Sequence, residues 1–98
     1  MAAVPDFITG SKTSISTTAV KITSTSSYAK RGVQIVATLA NTVPVYIGPE
    51  GVTAGTSAAT TDGYPLQAGE SIVIPVIDPT KIYAITASST ASISFLLV

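Results

Sequence analysis

The segment 33–39 alternates strictly between two kinds of position. Its odd-numbered positions are all apolar, and its even-numbered positions carry Gln, Val and Thr. Successive side chains of a β-strand point to opposite faces, so a period of two predicts a strand with one face in the core. The alternation resumes at Val43, Val45 and Ile47 after a short connection at 40–42. The two runs predict a β-hairpin, in which Pro44 lacks a backbone donor and takes an edge or unbonded position.

Other runs of strand-forming residues are bounded by turn-forming residues and lie at 13–23, 72–77, 82–87 and 93–97. In the first of them the apolar positions switch from odd to even, which predicts a bulge or break near residues 17–18. No window holds a 3.6-residue apolar period over three turns. Short strands joined by turns are typical of antiparallel sandwiches and small barrels. We therefore expect an all-β protein, a small antiparallel β-sandwich or barrel-like domain.

Residues 1–12 differ from the rest of the chain because they hold two isolated large apolar residues, Phe7 and Ile8, between Pro5 and Gly10. This segment is expected to be an extended N-terminal arm, and residues 13–98 a single β-sandwich domain. Three alternatives remain open for the arm. It closes one end of its own core, reaches onto a neighbouring subunit, or is disordered.

Alternation also predicts which side chains form the core. The expected core residues are Val33, Ile35, Ala37, Leu39, Val45, Ile47, Ile72, Ile74, Ile82, Ile93 and Phe95. The connection 48–63 is rich in Gly and other small residues, and a loop of this length in a compact domain is normally functional or mobile. We expect it to be a contact or mobile element rather than part of the core. Residues 78–81 predict a turn around Pro79.

Charge is sparse and balanced. The chain of 98 residues has five basic and five acidic residues, while Ser and Thr together number 27. With no basic cluster, the sequence lacks the usual means of holding a phosphate backbone, so we expect no nucleic-acid partner. The longest apolar run, 72–77, is far shorter than the roughly 20 residues that a membrane-spanning helix needs, so we expect no membrane partner.

The inventory of reactive side chains is equally limited. The chain has no His and no Cys, so a Ser or Thr nucleophile has no imidazole base and a transition metal has no soft ligand. The five carboxylates are dispersed beside Gly or Pro in predicted turns and in the arm, where they typically solvate or cap a bend. The sequence predicts no catalytic residue, no metal site and no cofactor, and hence no enzyme.

Apolar side chains on both faces of 72–77 and of the last strand exceed what a two-layer sandwich needs. The excess predicts either a third packing layer made by the N-terminal arm or a subunit interface, and we expect a homo-oligomer or a docked state. The candidate interface residues are Phe7, Ile8, Tyr64, Pro65, Val73 and Ile77. A glycan- or receptor-binding module is the alternative, and it requires Tyr28 and Tyr64 to be exposed together, since sugar rings stack on aromatic side chains.

Five short sequence blocks within residues 33–87 resemble motifs that recur in small structural proteins of tailed bacteriophages. The blocks read VYIG at 45–48, GVTA at 51–54, GYPL at 63–66, GES at 69–71 and KIYAI at 81–85. The resemblance is to capsid decoration (cement) proteins and head-fibre proteins. It covers somewhat over half of the chain and consists of turns and strands rather than chemistry. The chain has no long repetitive stalk, which favours a compact cement protein over a head fibre.

The resemblance implies a β-sandwich on the outer surface of a phage head, made in the host cytoplasm and bridging neighbouring major capsid proteins. Oligomers, often trimers, are common in such families, so a homo-oligomer with a trimer as one option is implied. No catalytic residue is carried over. A small component of the phage neck or tail is a further alternative.

Overall fold

The computed structural model describes residues 8–24, 29, 31–55 and 59–97. Eight β-strands and one short 3-10 helix follow one another along this part of the chain. The strands are β1 (Ile8–Ile15), β2 (Val20–Lys21), β3 (Val33–Ala37), β4 (Val45–Gly48), β5 (Tyr64–Leu66), β6 (Ser71–Ile74), β7 (Tyr83–Ile85) and β8 (Ala91–Leu97).

The strands form two four-stranded sheets in which neighbouring strands are antiparallel. Sheet 1 has the order β1-β8-β3-β6, and sheet 2 has the order β2-β7-β4-β5. Short connections join β1 to β2 and β5 to β6. These two pairs of edge strands therefore face each other across the two open sides of the sandwich. The prediction of an all-β antiparallel sandwich is confirmed.

The core lies between the sheets and takes alternate residues of each central strand. Predicted core residues are buried except at three positions: Ile72 and Ile74 are half-buried because β6 is an edge strand, and Leu39 is exposed. The alternation of 33–37 thus places β3 correctly. Further buried apolar residues, which the sequence analysis did not assign to the core, are Ile15, Ile22, Ala29, Val52, Leu66, Ala84, Ile85, Ala91 and Leu97.

The predicted hairpin between 33–39 and 43–47 is wrong. β3 pairs with β6 and β8 in sheet 1, whereas β4 pairs with β5 and β7 in sheet 2. The connection between them crosses from one sheet to the other. Asn41 anchors this crossing to β8, because its side-chain Nδ2 donates to the Ser92 carbonyl at 2.8 Å and its Oδ1 accepts from the Ser92 N–H at 2.9 Å.

Leu39 is not a core residue, since 83% of its surface is exposed. β3 ends at Ala37, and the Asn41 N–H donates to the Thr38 carbonyl at 3.0 Å, which closes a turn. A turn ends the period of two, so the next position of the alternation no longer points inward. Leu39 instead lies over Gly69, where a Cβ would come within 2.9 Å of Leu39 Cδ2.

The predicted break near residues 17–18 coincides with the passage of the chain from sheet 1 to sheet 2. β1 ends at Ile15 and β2 begins at Val20. A separate irregularity lies earlier, where the β1–β8 register shifts between Lys12 and Ile15 and Ser14 has a φ of 57°. Ile15 is an odd-numbered position and Ile22 an even-numbered one. Both point into the core because the chain changes sheet between them.

The expected arm at 1–12 is part of the sandwich over residues 8–12. These residues form the regular half of β1, which pairs with β8 from Ile8↔Leu97 to Lys12↔Ile93. Residues 1–7 lie outside the described residues. The boundary expected at Thr13 thus falls inside β1, in which Ile8 pairs with Leu97 of the neighbouring strand.

The predicted turn at 78–81 is a 3-10 helix over Pro79–Lys81. Asp78 caps it, since one carboxylate oxygen accepts from the Thr80 N–H at 3.0 Å and from the Thr80 hydroxyl at 2.9 Å. This helix brings the chain from the edge of sheet 1 to the centre of sheet 2, where β7 begins.

Candidate interaction surface

The outer face of sheet 1 is built from the residues that alternate with the core. Strand register places them in two rows across all four strands. We refer to these eight residues as the open face: Thr9, Leu96, Gln34 and Val73 in one row, and Ser11, Ser94, Val36 and Ser71 in the other.

The open face is shallow and uncharged. A groove of about 700 Å³ runs over β1, β8 and β3, with Val36, Leu96 and Gln34 among the residues that line it. Val73 continues the apolar surface on β6 and has 57% of its surface exposed. Hydroxyl, amide and aliphatic groups alternate here, so the surface offers short hydrogen bonds and van der Waals contact without a charge to desolvate.

Sheet 2, in contrast, is covered over β4 on its outer face by the chain's own connection between β4 and β5. Val52 is only 3% exposed and lies over Gly48, where a Cβ would come within 2.6 Å of the valine Cγ2. Gly55 lies against the ring of Tyr46, because a Cβ on Gly55 would come within 2.9 Å of Tyr46 Cε2. The connection therefore forms a third layer on this side of the sandwich.

Hydrogen bonds hold the described parts of this connection together. The Thr53 hydroxyl donates to Asp62 Oδ1 at 2.7 Å, and the other carboxylate oxygen accepts from the Ala59 N–H at 2.8 Å. Backbone bonds join Thr53 to Thr61 at 3.0 Å and Gly63 to Thr53 at 2.9 Å. The expectation that 48–63 would not contribute to packing is wrong for Val52, which it buries. This layer lies on sheet 2 and is made by the connection, whereas the apolar excess of 72–77 and of the last strand lies in sheet 1.

The structure separates the predicted interface residues instead of bringing them together. Val73 lies on the open face, and Ile77 is 58% exposed beyond the end of β6. Ile8 is 41% exposed at the opposite edge of sheet 1. Tyr64 and Pro65 are exposed on β5, in the other sheet. Phe7 lies outside the described residues, as does Tyr28, the partner that a glycan site would require for Tyr64.

Leu39 is an exposed residue that the sequence analysis assigned to the core. Alternation places Val36, Gln34 and Leu96 on the second face of their strands, but only the strand register shows that they adjoin one another. The alternation in the sequence separates the two faces of β3. Its even-numbered positions were therefore the signal from which the open-face residues of this strand could have been found.

A second surface feature lies on the side where β1 faces β2. We refer to it as the lysine groove: about 500 Å³ between Lys12 and Lys21, continuing into about 340 Å³ beside Lys81. Tyr83 and Lys21 line both parts. The Tyr83 hydroxyl donates to Glu50 Oε2 at 3.4 Å, and partial burial together with the negative charge of Glu50 raises the pKa of Tyr83 above its ordinary value.

No group of three or more His, Cys, Asp or Glu side chains in the described ranges is placed to hold a metal ion. Within these ranges every buried side-chain nitrogen or oxygen has a hydrogen-bond partner. The described residues therefore leave no orphaned polar side chain aimed into a cavity.

Comparison of the chain with protein-family models, with curated proteins and with solved structures gave no match. No helix in the described part of the chain combines the length and apolar composition that a membrane crossing requires.

Proposed function

We propose that this protein is a structural component of a bacteriophage virion, a capsid decoration (cement) protein that binds the outer surface of the head and bridges major capsid proteins. The observation that carries the proposal is the difference between the two outer faces. The outer face of β4 in sheet 2 is covered by the chain's own connection, whereas the open face is uncharged, four strands wide and not covered by any described residue. The choice of the major capsid protein as the partner rests on the sequence blocks that resemble phage structural proteins.

The chemistry of the open face suits attachment in many copies. A decoration protein stabilises a shell by binding the assembled state, so many modest contacts suffice. Since the chain carries no net charge, neighbouring copies do not repel one another on a crowded surface. Apolar and hydroxyl groups at Val36, Val73 and Ser94 provide contact area without salt-sensitive pairs.

The edge strands disfavour edge-to-edge pairing between copies of the protein. Contacts through the faces of the sheets are therefore favoured. β2, β5 and β6 have only two, three and four residues, and Pro65 lies within β5. β1 is longer but has Lys12 and a register shift. Short strands, proline, charge and bulges all oppose edge-to-edge pairing. We propose that any homo-oligomer, a trimer included, forms through the faces or the ends of the sandwich.

Sedimentation with undecorated phage heads tests the proposal. The protein is expected to co-sediment at low and at high salt with a fixed number of copies per capsomer, because an uncharged contact is little screened. Val73→Asp should reduce the bound copies, since a charge would have to be desolvated on the open face. Thr60→Asp, an exposed position in the covering connection, adds the same charge and is the control.

Absence of the protein from the particles at both salt concentrations contradicts the proposal. Saturable binding to a glycan in the same protein preparation would then favour the receptor-binding alternative. Equal loss of binding in both aspartate variants would show that the open face is not the contact.

A further inference from the structure

Positive charge is concentrated in the lysine groove of a chain that is neutral overall. Lys12, Lys21 and Lys81 line it, and they are three of the five basic residues of the chain. None of the three forms an ion pair with another described residue. The carboxylate that lines the groove, Glu50, accepts from Tyr83. The groove therefore has lysine ammonium groups available to an anionic partner.

The wall of the groove that β1 forms is a strand edge. β1 pairs with β8 on one side, without irregularity from Ile8 to Lys12, and no described strand pairs with its other side. Edge strands present backbone N–H and C=O groups that an extended peptide can pair with. A strand added here would point every second side chain to the inner side of sheet 1, which is the side of Lys12. Lys21 faces the outer side of sheet 2 and lines the same groove from its edge strand.

We propose that the lysine groove binds an extended acidic segment of a partner protein, added along β1 as a fifth strand of sheet 1. Its alternate carboxylates lie near Lys12 and Lys21. A second copy of this chain is a poor occupant, because its own β1 carries Lys12 and would place like charges together. This site is distinct from the open face, and it does not depend on attachment to a phage head.

The remaining wall of the groove suits the same occupant. Ala19 and Val20 supply apolar surface at the start of β2, and Ser24 supplies a hydroxyl. An alternating sequence of Glu with Val or Thr matches this mixture. Backbone pairing gives such a segment its affinity, and the lysines select its charge.

Fluorescence anisotropy with two labelled octapeptides tests the proposal. One peptide alternates Glu with Val and Thr, and the other has Gln in place of each Glu. At low salt the Glu peptide is expected to bind about tenfold more tightly than the Gln peptide, since interfacial charges act on partner selection, and to weaken as salt is added. Lys21→Gln and Lys12→Gln should each weaken it up to about fivefold, the range of a partly exposed ion pair.

Arg31→Gln is the matched control, because it removes the same charge from an exposed residue that does not line the groove. Hydrogen exchange of the full chain distinguishes strand addition from loose charge attraction. Bound peptide should slow the exchange of amides within residues 8–12.

Three outcomes overturn the proposal. They are equal weakening by Arg31→Gln, unchanged exchange in β1, and binding of a sulfated polysaccharide without binding of the Glu peptide. Because Lys21 lies on a two-residue strand in the other sheet, its variant keeps the test valid even if a change at Lys12 impairs folding.

Discussion

Gly10 shows how a single missing side chain sets the packing at the edge of sheet 1. It pairs with Phe95 on the neighbouring strand, and a methyl group on Gly10 would overlap the phenylalanine ring. The ring therefore lies across the glycine and is only 8% exposed although it is next to an edge strand. An aromatic side chain covering a cross-strand glycine protects backbone that would otherwise be bare.

Ile35 and Leu39 make a matched pair for testing where β3 ends. Ile35 is fully buried at the centre of sheet 1, and Leu39 is 83% exposed two alternations later. Ile35→Ala should lower the free energy of unfolding by about 2–4 kcal/mol through lost transfer energy and a cavity. Leu39→Ala should change it by no more than about 0.5 kcal/mol, as is usual for exposed positions. Urea unfolding of both variants measures the difference. Equal losses would mean that Leu39 is packed in solution.

At the scale of elements, the crossing between β3 and β4 depends on one side chain. Asn41 exchanges two hydrogen bonds with the backbone of Ser92, although the two residues are 51 positions apart. The Thr38 N–H also donates to the Ser92 carbonyl at 3.1 Å. These bonds hold the end of β3 against the start of β8 while the chain passes to the other sheet.

Asn41→Ala should therefore lower the free energy of unfolding by about 1–3 kcal/mol, because the part-buried Ser92 N–H loses its partner and the Ser92 carbonyl loses one of its two donors. Thr42→Ala, at the next and exposed position, should change it by less than about 0.5 kcal/mol. Thermal unfolding by circular dichroism compares the two variants. An unchanged transition in Asn41→Ala would show that water replaces the amide at no cost.

At the scale of the whole molecule, the sandwich has four sides of different character. One face is open and uncharged, the other is covered by the connection through Val52, and the β1–β2 side carries Lys12 and Lys21. The remaining side, between β5 and β6, shows exposed Tyr64 and Pro65. This division gives a very small domain surfaces of different chemistry.

Lys12 is expected to keep the protein from pairing with itself along β1. It is the charged residue in the regular half of the longest edge strand, and a charge at such a position opposes edge-to-edge association. Lys12→Val should increase self-association in sedimentation velocity as the protein concentration rises. Lys81→Val removes the same charge from the 3-10 helix, away from a strand edge, and should leave the sedimentation unchanged. If neither variant self-associates, Lys12 does not have this protective role.

The sequence predicts where strands lie better than it predicts which strands pair with each other. β3, β4 and the inner face of β8 follow from alternation, since a period of two is a local property of the chain. The pairing of β3 with β8 joins residues about 60 positions apart, as in Ile35↔Phe95, and no local pattern specifies it. The neighbouring run at Val45 was assigned as its partner because proximity along the chain is the usual guide, and here the chain changes sheet.

The sequence by itself determined the all-β class, the positions of most strands and the scarcity of reactive side chains, because these depend on local alternation and on composition. Only the tertiary structure decided which face the described residues leave uncovered. The order of strands within each sheet collects Val36, Leu96 and Val73 into one surface, and the close approach of Val52 to Gly48 closes the other. Both outcomes depend on contacts between distant residues, whose free energy is set by packing in three dimensions rather than by neighbours along the chain.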